Sequence, residues 1–192
     1  MIDALLEAEQ KLNALGPLPF PLPLGASAPA LAAAVMAMSK REWIVTGPRF
    51  RLAATLRGCP VERLVDPSTG AKPYKWAPST LDVADRALHA VGLAISSKAP
   101  TLCVLGEASL ANGAISEAFN VASLQAVPVL FLFITRTLDG APVAKQSACT
   151  PISLAEAYGI SSVQTQDIEI LTQELKRARS QSNPFVIQFL LE

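Results

Sequence analysis

The chain has 192 residues and a formal net charge of zero at neutral pH, from 16 basic and 16 acidic side chains. Hydrophobic residues make up 51% of it and charged residues 17%, which is apolar for a globular protein. The length suits one domain with a sizeable core, and the charge balance excludes a basic field that would bind nucleic acid or an anionic membrane. Surplus hydrophobicity predicts a homodimer or a higher oligomer.

The sequence predicts a cytoplasmic protein with reduced thiols. Its best apolar run, 127–134, is as long as a strand and too short to cross a bilayer, and the first residues carry an early acid in place of a basic leader. Cys59, Cys103 and Cys149 are an odd, scattered set without the spacing of a metal site.

The first segment of the chain, 1–40, is predicted to contain two helices joined by a proline-rich arm. Residues 3–15 form an amphipathic pattern that ends at Gly16. The alternating prolines of 17–23 favour an extended, polyproline-like arm, and the Ala-rich stretch 27–40 predicts the second helix.

Strands and helices alternate in the second segment, 41–192. The predicted strands are 43–45, 102–105, 128–134, a short one around 163, and 184–190. The predicted helical segments are 49–57, 61–65, 81–96, 112–125, 153–158 and 167–179, with long loops at 66–79 and 135–150. The uniformly apolar strands indicate that both faces of the sheet are covered. We therefore expect a single compact α/β domain, a three-layer, doubly wound and mostly parallel sheet.

Ligands of such sheets bind beyond the carboxyl ends of the strands, which directs attention to 106–109 and 135–138. The strand that ends in Gly106-Glu107-Ala108-Ser109 is followed by Asn112-Gly113, by a helix with the pattern Glu-Ala-x-Asn-x-Ala at 117–122, and by the apolar strand 128–131. This order resembles the diphosphate-binding domain of alpha subunits of thiamine diphosphate-dependent 2-oxo acid dehydrogenases. The segments 43–65 and 155–167 resemble the same family.

The resemblance implies a thiamin diphosphate-binding fold and candidate cofactor-binding residues. In the family, a Mg²⁺ ion that grips the diphosphate is held at the positions of Glu107, Arg136 and the carbonyl of Leu138. Arg49 matches an arginine that contacts the diphosphate. Gly106, Ala108 and Asn112 complete the candidate set, with Asn112 predicted to cap its helix in preference to binding an anion.

Arg136 departs from the family pattern in a way that predicts loss of the Mg²⁺ site. A guanidinium carries five donors and no acceptor, and its charge repels a divalent cation. Three outcomes stay open. Glu107 and Arg136 form a structural ion pair, Arg49 and Arg136 bind a phosphate without metal, or a rearranged metal site survives on Glu107.

The leading functional hypothesis is a degenerate, non-catalytic relative of the alpha subunit that acts through oligomer or partner contacts. One alternative is an active thiamine diphosphate-dependent alpha subunit that needs a separate beta subunit. The other is a metal-independent module that binds a phosphorylated metabolite. His89 lies mid-helix and is not assigned to catalysis, and Trp76 is either an interface anchor or a loop residue covered by its own chain.

Overall fold

The computed structural model describes residues 1–16, 23–66, 68–79, 82, 84–136 and 147–191. Its α-helices α1 to α6 are Ile2–Ala14, Ala28–Ala37, Asp85–Ser97, Gly113–Leu124, Pro151–Ala157 and Ile168–Arg179. Its strands β1 to β5 are Trp43–Thr46, Thr101–Gly106, Val129–Arg136, Ser161–Thr165 and Phe185–Leu191. Its 3₁₀ helices are Gly25–Ser27, Pro48–Arg57, Val61–Leu64, Lys72–Tyr74 and Glu107–Ala111.

The five strands form one sheet in the order β1-β2-β3-β5-β4, and every neighbouring pair is parallel. The expected α/β architecture is therefore confirmed, with a sheet that is parallel throughout these strands. Because the strands run the same way, the strand ends at Thr46, Gly106 and Arg136 lie along one edge. This edge is called the carboxyl edge below.

Two hydrophobic cores cover the two faces of the sheet, which makes the molecule three-layered. One core joins α1, α2, α6 and the 3₁₀ helix Pro48–Arg57 to one set of strand residues, among them Leu102, Leu132 and Ile187. The other joins α3, α4 and α5 to the alternate set, including Cys103 and Phe131. Successive strand side chains point to opposite faces, so a strand covered on both sides is apolar at every position.

The N-terminal segment belongs to the first core, because Leu5 and Leu12 of α1 and Leu31 of α2 are fully or almost fully buried there. Of the proline-rich arm, residues 17–22 lie outside the described residues. Within the described ranges, none of the helices combines the length and apolarity that a membrane crossing requires.

The predicted loop 66–79 contains a contact that extends the sheet. The Ile44 amide donates to the Lys75 carbonyl at 2.8 Å, and the Ala77 amide donates to the Ile44 carbonyl at 3.0 Å. Trp76 between them is fully buried, and its indole N–H donates to Thr46 Oγ1 at 3.1 Å. Of the two interpretations of Trp76, burial by its own chain is the one this structure shows.

The helix expected over 81–96 begins later, at Asp85. Ser79, two residues before the expected start of that helix, is turned toward β1, where its hydroxyl donates to the Thr46 carbonyl at 2.7 Å. A serine hydroxyl competes well for a nearby carbonyl, and here the contact is a tertiary one and not a helix cap.

Candidate functional site at the carboxyl edge

Charged side chains lie at or shortly after the ends of β1, β2 and β3 on the carboxyl edge. β1 ends at Thr46 and leads through Gly47 into the 3₁₀ helix that bears Arg49 in its first turn. β2 ends at Gly106, directly before Glu107, and β3 ends at Arg136 itself. The parallel pairing of β1, β2 and β3 sets these ends side by side, as the carboxyl-edge rule predicts.

The Glu107 side chain joins the segment after β2 to the last residue of β3 by a hydrogen bond to its backbone. Its Oε2 accepts a hydrogen bond from the Arg136 amide at 2.9 Å. Among the described residues, the salt bridges are Arg177–Glu174 and Arg179–Glu42, so the side-chain ion pair considered for Glu107 and Arg136 is not formed here. The carboxylate is thus used to tie the end of β3 to the turn after β2.

Arg49 lies half-buried beside this bridge. Its Nε is buried without a hydrogen-bond partner in the described part of the chain. Burial lowers the pKa of the Arg49 guanidinium, the positive charge of Arg136 lowers it further, and the negative charge of Glu107 offsets part of the change. Arg49, Glu107 and Arg136 therefore act on one another electrostatically, and two positive charges face one negative charge.

Asn112 caps the helix that follows, as the sequence predicts. Its Oδ1 accepts from the Ala114 amide at 2.9 Å, at the start of α4. Its Nδ2 donates to Asp82 Oδ1 at 3.1 Å. A carboxylate of the chain itself therefore lies near the positive end of α4, where an external anion would otherwise be favoured.

The other residues considered for the site are Gly106, Ala108, Leu138 and His89. Gly106 has an extended backbone, and an added Cβ there would meet no atom within 4 Å, so this position does not require glycine. Ala108 is half-buried in the 3₁₀ helix Glu107–Ala111. Leu138 lies outside the described residues. His89 is exposed on α3.

Sequence reasoning missed Arg86 and Gly47. Arg86 is 5% exposed, its Nη2 donates to the Asp82 carbonyl at 3.3 Å, and burial lowers its pKa. Its guanidinium lies so close to Gly47 that an added Cβ there would overlap Nη1. Arg86 thus supports the turn that carries Arg49. The available signal was a glycine directly after a strand, which often marks close approach of another group.

Among the described residues of this edge, Arg136 does not fit the position of a Mg²⁺ ligand. Mg²⁺ requires oxygen ligands in near-octahedral geometry, and the edge offers the carboxylate of Glu107, one oxygen of which already binds an amide. Arg136 can donate but cannot coordinate. Over the described ranges, no group of three or more His, Cys, Asp or Glu side chains is placed to hold a metal ion.

Two guanidiniums at one edge can act as phosphate-binding groups. Arginine binds phosphate oxygens through paired N–H donors, and its charge neutralises the anion without a metal. The Nε of Arg49 has no hydrogen-bond partner among the described residues, and the same holds for buried nitrogens of Arg51, Arg57 and Arg86.

Comparison with known proteins supports the fold and gives no family. No protein-family model matches the sequence, and no curated protein matches it. A candidate thiamin diphosphate-dependent enzyme from Mycobacterium smegmatis is similar in structure, with a TM-score of 0.61 and 16% sequence identity. Benzoylformate decarboxylase from Polynucleobacter necessarius is also similar, with a TM-score of 0.62 and 15% identity. Both similarities cover 84% of this chain and about a third of the other chain, 31% and 32% respectively. The chain thus shares the fold of one part of thiamin diphosphate-dependent enzymes.

Proposed function

We propose that this protein is a non-catalytic relative of thiamine diphosphate-dependent enzymes that binds a phosphorylated ligand through arginines and without a divalent cation. The ligand's phosphate lies at the carboxyl edge, between Arg49 and Arg136. The observation that carries this proposal is the charge arrangement of that edge, where two guanidiniums face one carboxylate and that carboxylate is bonded to a backbone amide.

The electrostatics favour an anion over a cation at this place. Burial and the nearby Arg136 make the charged form of Arg49 costly, which is expressed in its lowered pKa. A phosphate between the two guanidiniums relieves their repulsion and satisfies the buried Nε of Arg49. A divalent cation in the same place increases the repulsion.

The non-catalytic part of the proposal rests on the acid–base groups of the edge. In the dehydrogenase family that the sequence resembles, the carboxylate at the aminopyrimidine ring that helps to form the reactive thiamine carbanion belongs to a separate domain. Glu107 is the carboxylate adjoining Arg49 and Arg136, and it bonds to the Arg136 amide. The similarity covers 31% and 32% of the neighbours' chains and supports a shared fold for that part.

Binding of pyrophosphate, thiamine diphosphate and thiamine, measured by calorimetry and thermal melts in EDTA and in Mg²⁺, tests the proposal. Pyrophosphate and thiamine diphosphate are expected to raise the melting temperature in EDTA, because a ligand that binds the folded state stabilises it. Thiamine, which lacks the phosphates, is expected to have no effect. Arg49→Gln and Arg136→Gln should each weaken binding, while Arg63→Gln, an exposed arginine of another 3₁₀ helix, should not.

Two results would contradict this function. Binding that requires Mg²⁺ would show that a metal site exists despite Arg136, and the search would turn to a separate catalytic subunit. Melting curves unchanged by either phosphorylated compound would show that the edge is not a phosphate site. The chain would then act through protein contacts alone.

A further inference from the structure

An open apolar groove lies on the face of the molecule formed by α1, α2 and α6. It encloses about 310 Å³. Its floor is made of small side chains of α2, namely Pro29, Ala32, Ala33 and Ala37. Met36 is 54% exposed beside them, and Ile2 of α1 and Ile168 of α6 form the walls. Ala32 and Ala37 are buried and Pro29 and Ala33 are half-buried, so the small side chains leave a depression that another side chain could enter.

One basic side chain lines the groove, and two more follow the end of α2 in the chain. Lys176 of α6 is part of its lining. Arg179, one turn further along α6, forms a 2.9 Å ion pair with Glu42, which brings the turn 39–42 against the end of the helix. Lys40 and Arg41 of that turn are at least partly exposed. Lys40, Arg41 and Lys176 are called the basic rim.

The outer face of α1 carries apolar and acidic side chains, which are complementary to the apolar groove and its basic rim. Ile2 and Leu6 are 41% and 38% exposed and are four residues apart, so they lie on the same side of the helix. Asp3 and Glu7 are also exposed and repeat the same spacing, which places an acidic stripe next to the apolar one.

We infer that this face is a homodimer interface, in which α1 of a second copy packs its Ile2–Leu6 stripe against the groove. In the same arrangement Asp3 and Glu7 of each copy lie opposite the basic rim of the other. A two-fold interface requires that a surface be complementary to itself. This one carries both the apolar groove with its basic rim and the apolar stripe with its acidic neighbours.

The occupant is a second copy of this chain because the chain carries both complementary surfaces. One is the apolar groove with its basic rim, and the other is the apolar stripe with its acidic neighbours. A net charge of zero removes the long-range repulsion that would oppose self-association. The apolar contacts supply affinity, and the opposite charges at the rim supply orientation. The interface and the proposed phosphate site have no residue in common, so the two proposals stand or fall separately.

Sedimentation velocity and light scattering over a wide concentration range test the inference. Wild-type protein should be a dimer that dissociates on dilution. Met36→Glu places a charge at the groove and should weaken the dimer at least about tenfold. Asp3→Lys and Lys176→Glu should each weaken it about three- to tenfold, and the double variant should recover most of the affinity, because the charge pair is restored with reversed signs.

Matched controls separate the interface from general charge effects. Glu117→Lys and Lys98→Glu change side chains of the α3–α4 layer, on the other side of the sheet, and should leave the dimer unchanged. Thermal melts of every variant establish that it is folded. A wild-type monomer at all concentrations overturns the inference. So does a dimer that tolerates Met36→Glu, and so does a double variant no tighter than the single ones.

Discussion

The Glu107 carboxylate and the Arg136 backbone amide join the ends of β2 and β3 through a hydrogen bond of 2.9 Å. An ionised acceptor makes this bond stronger than one between neutral groups. Its partner is the backbone of Arg136, and among the described residues the guanidinium of Arg136 forms no salt bridge with Glu107. The pair therefore fixes the edge of the sheet without neutralising its arginines through a side-chain ion pair.

The substitution Glu107→Gln should tighten pyrophosphate binding by about three- to tenfold in EDTA. The amide oxygen of the substituted side chain can still accept from the Arg136 N–H, while the negative charge that opposes an anion is removed. Calorimetry at two ionic strengths measures the change, which should shrink as salt increases. Glu117→Gln, on the exposed side of α4, is the control. Weaker binding in EDTA would contradict the proposed anion site, because the Glu107 charge would then favour the bound anion.

Replacing Gly47 by Ala should destabilise the protein by about 1–3 kcal/mol, because the new Cβ overlaps the buried Arg86 guanidinium. Urea denaturation gives the free energy of unfolding. Gly106→Ala is a matched control at the end of the next strand, where an added Cβ meets no atom, and should change stability by less than about 0.5 kcal/mol. Equal effects at both positions would show that the Arg86 side chain moves aside without cost.

Much of the fold could be predicted because its signals are local. The apolar runs of β2 and β3 indicate strands covered on both faces, and the sheet bears this out. Asp167, the first residue of the predicted segment 167–179, is the N-cap of α6, and its side chain accepts from the Glu169 and Ile170 amides. This cap depends on a few adjacent residues, so the sequence could indicate it.

The contacts that define the site join residues distant in sequence and could not be predicted in this way. The sequence allows Glu107 to be a metal ligand or the ion-pair partner of Arg136, and the structure places it on a backbone amide. Arg86 packs against Gly47 from a different helix. No periodicity or spacing encodes such pairs, because they depend on how helices are set against the sheet.

Ala126 adopts a left-handed backbone with φ of 47°, just after α4, and its replacement by Gly should stabilise the protein by about 0.5–1 kcal/mol. Glycine adopts this conformation without the steric cost of a Cβ. Chemical denaturation measures the gain. Ala4→Gly, at an exposed position within α1, is the control of opposite sign and should cost up to about 1 kcal/mol. A loss of stability at position 126 would show that contacts of the Ala126 methyl outweigh its strain.

The buried thiol of Cys103 should make the protein less stable as the pH rises above about 9. Burial raises the pKa of Cys103 to about 12, from the ordinary value of 9.0 that describes the unfolded chain. Between these pH values the unfolded state releases a proton that the folded state retains, so the free energy of unfolding falls with increasing pH. Lysines also titrate in this range, so the measured quantity is the difference between wild type and Cys103→Val in urea denaturation at several pH values.

Valine suits a buried strand and has no proton to lose, which makes Cys103→Val the appropriate reference protein. The difference in unfolding free energy between the two proteins should be constant below about pH 9 and should then shift in favour of the variant, because only the wild type has the thiol. A difference that stays constant up to about pH 11 would mean that the Cys103 thiol ionises equally in the folded and unfolded states. The buried strand β2 would then have to open to solvent in the folded protein.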